Sequence, residues 1–201
     1  MYLSTLSKTG ENVLAFLLNN LNQKYSIREV AKAVEQDYKI VFSTAKQLSK
    51  DKLLTITKVS NINQCSVNIK REDAALFAFI SERFSCQKLP KRVWQALQDT
   101  IASIQNTSYA LLLFGSYAKG TATAKSDLDL LFIVAHKEQE KQIEAAARKA
   151  TTLNNIAIHP IVLTTEEFKS GLKQESVSSE TFKKHFVIRG GELFYSLITD
   201  A

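Results

Sequence analysis

A chain of 201 residues, 45% hydrophobic and 23% charged, has ordinary globular composition and enough apolar surface for one large or two small domains. Its formal net charge of +6 belongs wholly to the first third, where residues 1–71 hold 11 Lys and Arg against 5 Asp and Glu, while the remaining 15 and 15 cancel. The chain has no apolar run near the roughly 18 residues of a membrane span and no basic-then-apolar leader. Its two cysteines, Cys65 and Cys86, have no metal-ligand spacing, so a cytoplasmic protein with reduced thiols and no membrane partner is expected.

In chain order, Val13, Leu14, Leu17, Leu18 and Leu21 recur at helical spacing and predict a first helix. Ser26-Ile-Arg-Glu29 reads as a capping box opening a second helix, with Ile27, Val30, Ala31 and Val34 inward. After a break at Gln36-Asp37-Tyr38, Ile40, Val41, Ala45 and Leu48 mark a third. Leu53 to Lys58 and Cys65 to Lys70 read as short strands, with polar 59–64 as the hairpin tip.

Residues 72–87 predict a linker helix that joins or dimerises the two parts. Pro90 suits the first turn of a further helix with Val93, Trp94, Leu97, Ile101 and Ile104 buried. Strands are predicted at 109–114, 128–135 and 156–163, and a helix at about 137–152. Thr164-Thr-Glu-Glu167 caps a helix to about Lys173, and a Gly190-Gly191 turn divides the apolar segments of 182–198. The domain expectation is therefore 1–71, the linker 72–87, and 88–201, the last alternating helix and strand in the α/β manner. His136 and His185, with no ligand-spaced neighbours, are expected on the surface.

One stretch carries chemistry. The apolar run Tyr109–Phe114 breaks at Gly115-Ser116, and ten residues after Ser116 stands Ser126, followed by Asp127-Leu-Asp129 at the head of a second apolar run. Side chains at i and i+2 of a strand share a face, so the two aspartates can converge on one cation. Free backbone N–H groups at a strand-to-helix turn favour phosphate. Carboxylates facing a phosphate cradle suit metal-assisted transfer from a nucleoside triphosphate.

Gly115-Ser116-Tyr117-Ala118-Lys119-Gly120 followed by Asp127-x-Asp129 resembles the nucleotidyltransferase superfamily that includes DNA polymerase beta, and more closely the minimal nucleotidyltransferases of prokaryotes. The resemblance implies a mixed sheet, Mg²⁺ (or Mn²⁺) on catalytic Asp127 and Asp129, and a nucleoside triphosphate held by Gly115, Ser116, Lys119, Gly120 and Ser126. It implies attack by a protein or nucleic-acid hydroxyl on the α-phosphate, and a toxin protein as an optional partner. The family usually has Arg where Lys119 stands, and a third carboxylate on a later strand. Strand 156–163 has none, and His159 stands about where it would be.

Three helices and a hairpin follow the order of a winged helix-turn-helix, and 1–71 is similar to winged-helix prokaryotic regulators, which often carry Gly at the position of Lys52. Such a domain would read DNA with Lys39, Ser43, Lys46 and Gln47 on helix three and Lys58, Asn61 and Asn63 on the wing. The same fold is also used for protein contacts, and a homodimer is one expectation. The fold class expected is thus α+β to α/β, a winged helix before a polymerase-beta-like domain. The function expected is nucleotidyl transfer with DNA binding. The alternative is a DNA-binding regulator or antitoxin whose second domain is a silent nucleotide sensor or dimerisation unit.

Overall fold

The computed structural model describes residues 6–21, 23–105, 108–174 and 176–199. Helix α1 (Lys8–Leu18) starts at Ser7, whose hydroxyl accepts from the Gly10 amide at 3.1 Å. A two-residue strand β1 (Tyr25–Ser26) runs into α2 (Ile27–Ala33), and Ser26 with Glu29 forms the expected capping box. Asp37 caps α3 (Tyr38–Lys50) by accepting from the Lys39 amide. Strands β2 (Leu54–Val59) and β3 (Ile62–Val67) follow, and the three strands pair antiparallel in the order β1-β3-β2.

The hairpin is tighter than its composition predicted. Val59 pairs with Ile62, and Lys58 with Asn63, so Asn61 lies in the turn while Asn63 belongs to a strand. Polar residues enter the ladder because much of the hairpin stays open to solvent, where side-chain polarity does not oppose pairing. Lys52, between α3 and β2, has φ of 62°, the left-handed conformation that glycine adopts most readily.

A short 3-10 turn (Arg71–Asp73) leads to α4 (Ala74–Lys88), and Pro90 precedes α5 (Lys91–Ala102). Then come β4 (Tyr109–Phe114), α6 (Gly115–Lys119), β5 (Leu128–Val134), a 3-10 turn at Lys137–Gln139, α7 (Glu140–Asn154) and β6 (Ile158–Thr164). The Thr164–Glu167 capping box opens α8 (Thr165–Leu172), followed by α9 (Val177–Lys183), β7 (Phe186–Arg189) and α10 (Gly191–Thr199). Helix α9 had no sequence counterpart. Strand order is β6-β5-β4-β7, with β5 and β6 parallel and the other pairs antiparallel, which makes a mixed sheet.

Alternation along β4 and β5 sorts the core into two layers. Leu111, Leu113, Leu130 and Phe132 face α5 and α7. Ala110, Leu112, Leu131 and Ile133 face a larger cluster that contains α4, α10 and the buried residues of α1, α2 and α3. Residues 74–88 are therefore core, packed on α1, β7 and α10. Phe77, Phe194 and Tyr195 are fully buried there, each contributing about 1.5–3 kcal/mol of transfer energy. The Tyr195 hydroxyl meets Ser81 at 2.6 Å.

His185 corrects a sequence expectation. It is 1% exposed, sits against Phe194, and its backbone amide donates to the Asn19 carbonyl at the end of α1. The chain folds the N-terminal helices onto this sheet face, so a residue in a polar stretch becomes interior. His136 is exposed, as expected. No helix among the described residues is long and apolar enough to cross a membrane.

Candidate active site

At the open end of the sheet, the row Ile133, Leu131 continues to Asp129, and the row Leu163, Ile161 continues to His159. Asp129 is in register with Phe114 on one side and with His159 on the other. Asp127 lies just before β5 and directs its carboxylate at His159, with Oδ2 3.2 Å from Nε2. The motif strand and β6 thus bring three polar side chains to the sheet face covered further along by the larger core.

Gly115 explains why the turn has no side chain there. Its φ is +69°, and a Cβ on it would lie 2.0 Å from Asp129 Oδ2 and 2.9 Å from its Cγ. The Asp129 carboxylate therefore rests against the bare backbone of the turn, which both the conformation and the space reserve for glycine. Gly120 ends α6 with φ of +75°, but nothing lies within 4 Å of a Cβ built there, so only its conformation favours glycine.

Burial pushes the Asp129 carboxyl above its ordinary value, and Asp127 and Glu180 push it the same way, while His159 and Lys119 oppose them. A half-buried carboxylate beside two others is a place where a cation lowers the electrostatic cost. Two carboxylates at the edge of a glycine cradle fit a divalent ion of oxygen preference. The residues that would hold it are Asp127 and Asp129. Among the described residues no three His, Cys, Asp or Glu side chains already meet around one point.

The remaining sequence-predicted nucleotide residues differ in how committed they are. Lys119 forms an ion pair of 2.5 Å with Glu180 on α9. A cleft of about 590 Å³ opens beside this pair, lined also by Lys183, Lys184 and Gln23. Ser116 accepts the Thr121 amide on its backbone oxygen, closing the turn after α6. Ser126 accepts the Thr123 amide on its hydroxyl at 2.8 Å, so it braces the loop before Asp127. Glu166 and Glu167 are held by backbone hydrogen bonds at the start of α8, which lower their carboxyls from the ordinary value. Glu180 had no sequence signal, because α9 brings it to Lys119 across 61 residues of chain.

The residues expected on DNA lie on α3 and on the hairpin. Lys39, Ser43, Lys46 and Gln47 are exposed along α3, and Lys58 and Asn61 are exposed on the hairpin. Three are partly occupied: the Ser43 hydroxyl donates to the Ile40 carbonyl, the Lys46 ammonium lies 4.5 Å from the Phe42 ring centroid, and the Gln47 amide donates to Asp51. Arg28 over Tyr38, absent from the expected set, adds a cation to the same side, where Tyr38, Arg28, Asn61 and Asn63 line one groove.

No curated protein matches the sequence. A crystal structure of a toxin-antitoxin with AMP-PNP shares 14% identity, with a TM-score of 0.38 over 53% of this chain and 83% of that one. At so slight a likeness nothing about this chain follows from it. The family model of the nucleotidyltransferase domain matches residues 91–187, from the start of α5 into β7, and includes the Gly115 turn, both aspartates and His159. Over residues 91–187 the chain is thus similar to the nucleotidyltransferase domain family.

Proposed function

We propose that the protein transfers a nucleoside monophosphate from a nucleoside triphosphate to a hydroxyl of a protein or nucleic acid, using a divalent cation at Asp127 and Asp129. The observation that carries this reading is the seating of the Asp129 carboxylate on the bare Gly115 turn within the stretch similar to the nucleotidyltransferase domain family. A divalent ion there would neutralise charge on the triphosphate oxygens. The Gly115 turn and Ser116 would position the terminal phosphates. Lys119 would exchange Glu180 for phosphate oxygens, acting as a point charge. The acceptor oxygen bonds to the α-phosphorus, the bond to the pyrophosphate oxygen breaks, pyrophosphate leaves with that electron pair, and the hydroxyl proton passes to water.

In the same reading, residues 1–71 are a winged helix-turn-helix. The three helices with an antiparallel hairpin and the left-handed Lys52 support it. Its exposed lysines would meet a nucleic-acid backbone.

The test incubates each of the four radiolabelled nucleoside triphosphates with protein, divalent cation and cell extract. The Asp127→Ala/Asp129→Ala variant is the blank. Label on a macromolecule with the native chain alone supports transfer and identifies the acceptor class, including a toxin-like protein. Equal labelling by the blank removes the reading.

A second reading is favoured by His159. With an imidazole where the family has a third carboxylate, the domain would bind nucleotide without turnover and pass that state to the DNA-binding part. Cation-dependent nucleotide binding without label transfer would support it. Failure to bind any duplex at low salt would count against it.

A further inference from the structure

Two cavities meet at Gln23, in the seam between the N-terminal part and α9. The first, of about 590 Å³, is the cleft beside the Lys119–Glu180 pair, with Lys183 and Lys184 also in its lining. The second, of about 250 Å³, is lined by Asn20, Lys24, Ser66 and Phe182 as well as Gln23. Gln23 itself is oriented by accepting the Tyr25 hydroxyl. The charged side chains lining the two cavities are Lys24, Lys119, Lys183, Lys184 and Glu180, a net charge of +3. Glu180 is committed to Lys119, whereas Lys24 and Lys183 are exposed and have no carboxylate partner among the described residues. The first cleft adjoins the carboxylates. Lys119 ends α6, whose first residue, Gly115, backs Asp129, and a five-residue helix is only about 7.5 Å long.

We propose that this seam is the path of the acceptor, and that the acceptor is a single-stranded nucleic acid whose hydroxyl is delivered to Asp127 and Asp129. The inference rests on the transfer reading given above and names its acceptor class. Lys24 and Lys183, from the two sides of the seam, neutralise backbone phosphates. Lys184 donates to the Lys119 carbonyl at 3.3 Å and so braces the end of α6. The second cavity adds what a bare charge patch lacks: the half-buried Phe182 ring stands with the amides of Asn20 and Gln23 and the hydroxyl of Ser66. Cations for the backbone, a ring for stacking and neutral donors and acceptors for base edges are the combination that binds single strands. A duplex keeps its bases stacked on one another, out of reach of such a ring. An acidic peptide would use the lysines but has no base to place against Phe182.

Fluorescence anisotropy tests this with a labelled single strand of about ten nucleotides, titrated into the full chain with and without Mg²⁺ and a non-hydrolysable nucleoside triphosphate. The expected result is saturable binding that the triphosphate does not displace. Lys24→Ala/Lys183→Ala should lower the salt slope of that binding by about 0.7 for each phosphate no longer neutralised, with nucleotide and duplex affinity unchanged. Phe182→Leu keeps an apolar side chain against the core and should weaken strand binding about tenfold by removing the stacking ring. Circular dichroism confirms that each variant folds. In cell extract, the label transferred by the native chain should be released by nuclease. Displacement of the strand by the triphosphate would give the seam to the donor nucleotide and overturn the inference. A salt slope unchanged in the double lysine variant, or nuclease-resistant label on a protein, overturns it too. If no strand binds while nucleotide binding still depends on Asp127 and Asp129, the inference falls and the proposed function survives. Binding of neither overturns both.

Discussion

Around Asp127 and Asp129 polar side chains are matched at short range: His159 meets Asp127 at 3.2 Å and Lys119 meets Glu180 at 2.5 Å. Along α3 and its hairpin, Lys39, Lys50 and Lys58 stand exposed with no carboxylate partner among the described residues. The first arrangement places single side chains to tenths of an ångström, so one substitution should have a large effect. The second is a diffuse positive surface in which several charges must change before binding does. Precision at one end and redundancy at the other give the two regions different mutational signatures.

The sharpest separation comes from Gly115→Ala. The added methyl would meet the Asp129 carboxylate at 2.0 Å and occupy a strained φ. Displacing a positioned group by about 1 Å costs on the order of 100-fold in rate, and label transfer should fall by that much with duplex binding unchanged. Transfer assays and duplex titration check it, and equal loss of both would erase the contrast.

His185 tests the seam between the regions. Burial depresses its imidazole to about 4, against the opposing hydrogen bond to the Thr181 carbonyl. The unfolded chain takes up this proton near pH 6.5 and the folded one does not until about 4, so the stabilisation is whole above pH 6.5 and lost as pH falls through that window. The loss should be about 3 kcal/mol, read as urea midpoints from pH 7 to pH 4. His185→Gln should flatten the profile, and an unchanged profile would assign the acid loss elsewhere.

Smaller effects belong to the basic surface. Replacing Lys39, Lys46 and Lys58 together by Ala should lower the salt slope of duplex binding by about 0.9 for each phosphate no longer neutralised, and leave nucleotide binding intact. A slope that does not move would remove DNA from this surface. The smallest change is Gly120→Ala, where only the left-handed backbone is penalised, at about 1 kcal/mol of unfolding free energy. A much larger loss would show that Gly120 meets something other than open space.

Legibility in the sequence follows the same division. Ser26-Ile-Arg-Glu29 and Thr164-Thr-Glu-Glu167 were readable as helix starts because capping is settled within four residues. The two apolar runs announced β4 and β5, since strands buried on both faces are continuously hydrophobic. The Gly115 turn was legible because a left-handed turn pressed against the Asp129 carboxylate demands glycine at a short spacing from it. Glu180 and the interior position of His185 were not, because contacts far apart in the chain create both. Strand β1 escaped notice as well, since two residues carry no periodicity and pair only because β3 lies alongside.

The central claim is that Asp127 and Asp129 join a cation to a nucleotide on the Gly115 turn. Its most direct test is a titration of a non-hydrolysable nucleoside triphosphate into native and Asp127→Ala/Asp129→Ala protein, each with Mn²⁺ and with chelator. The account predicts saturable binding only to the native chain with Mn²⁺ present. Binding that persists with chelator, or that the double variant retains, would contradict it.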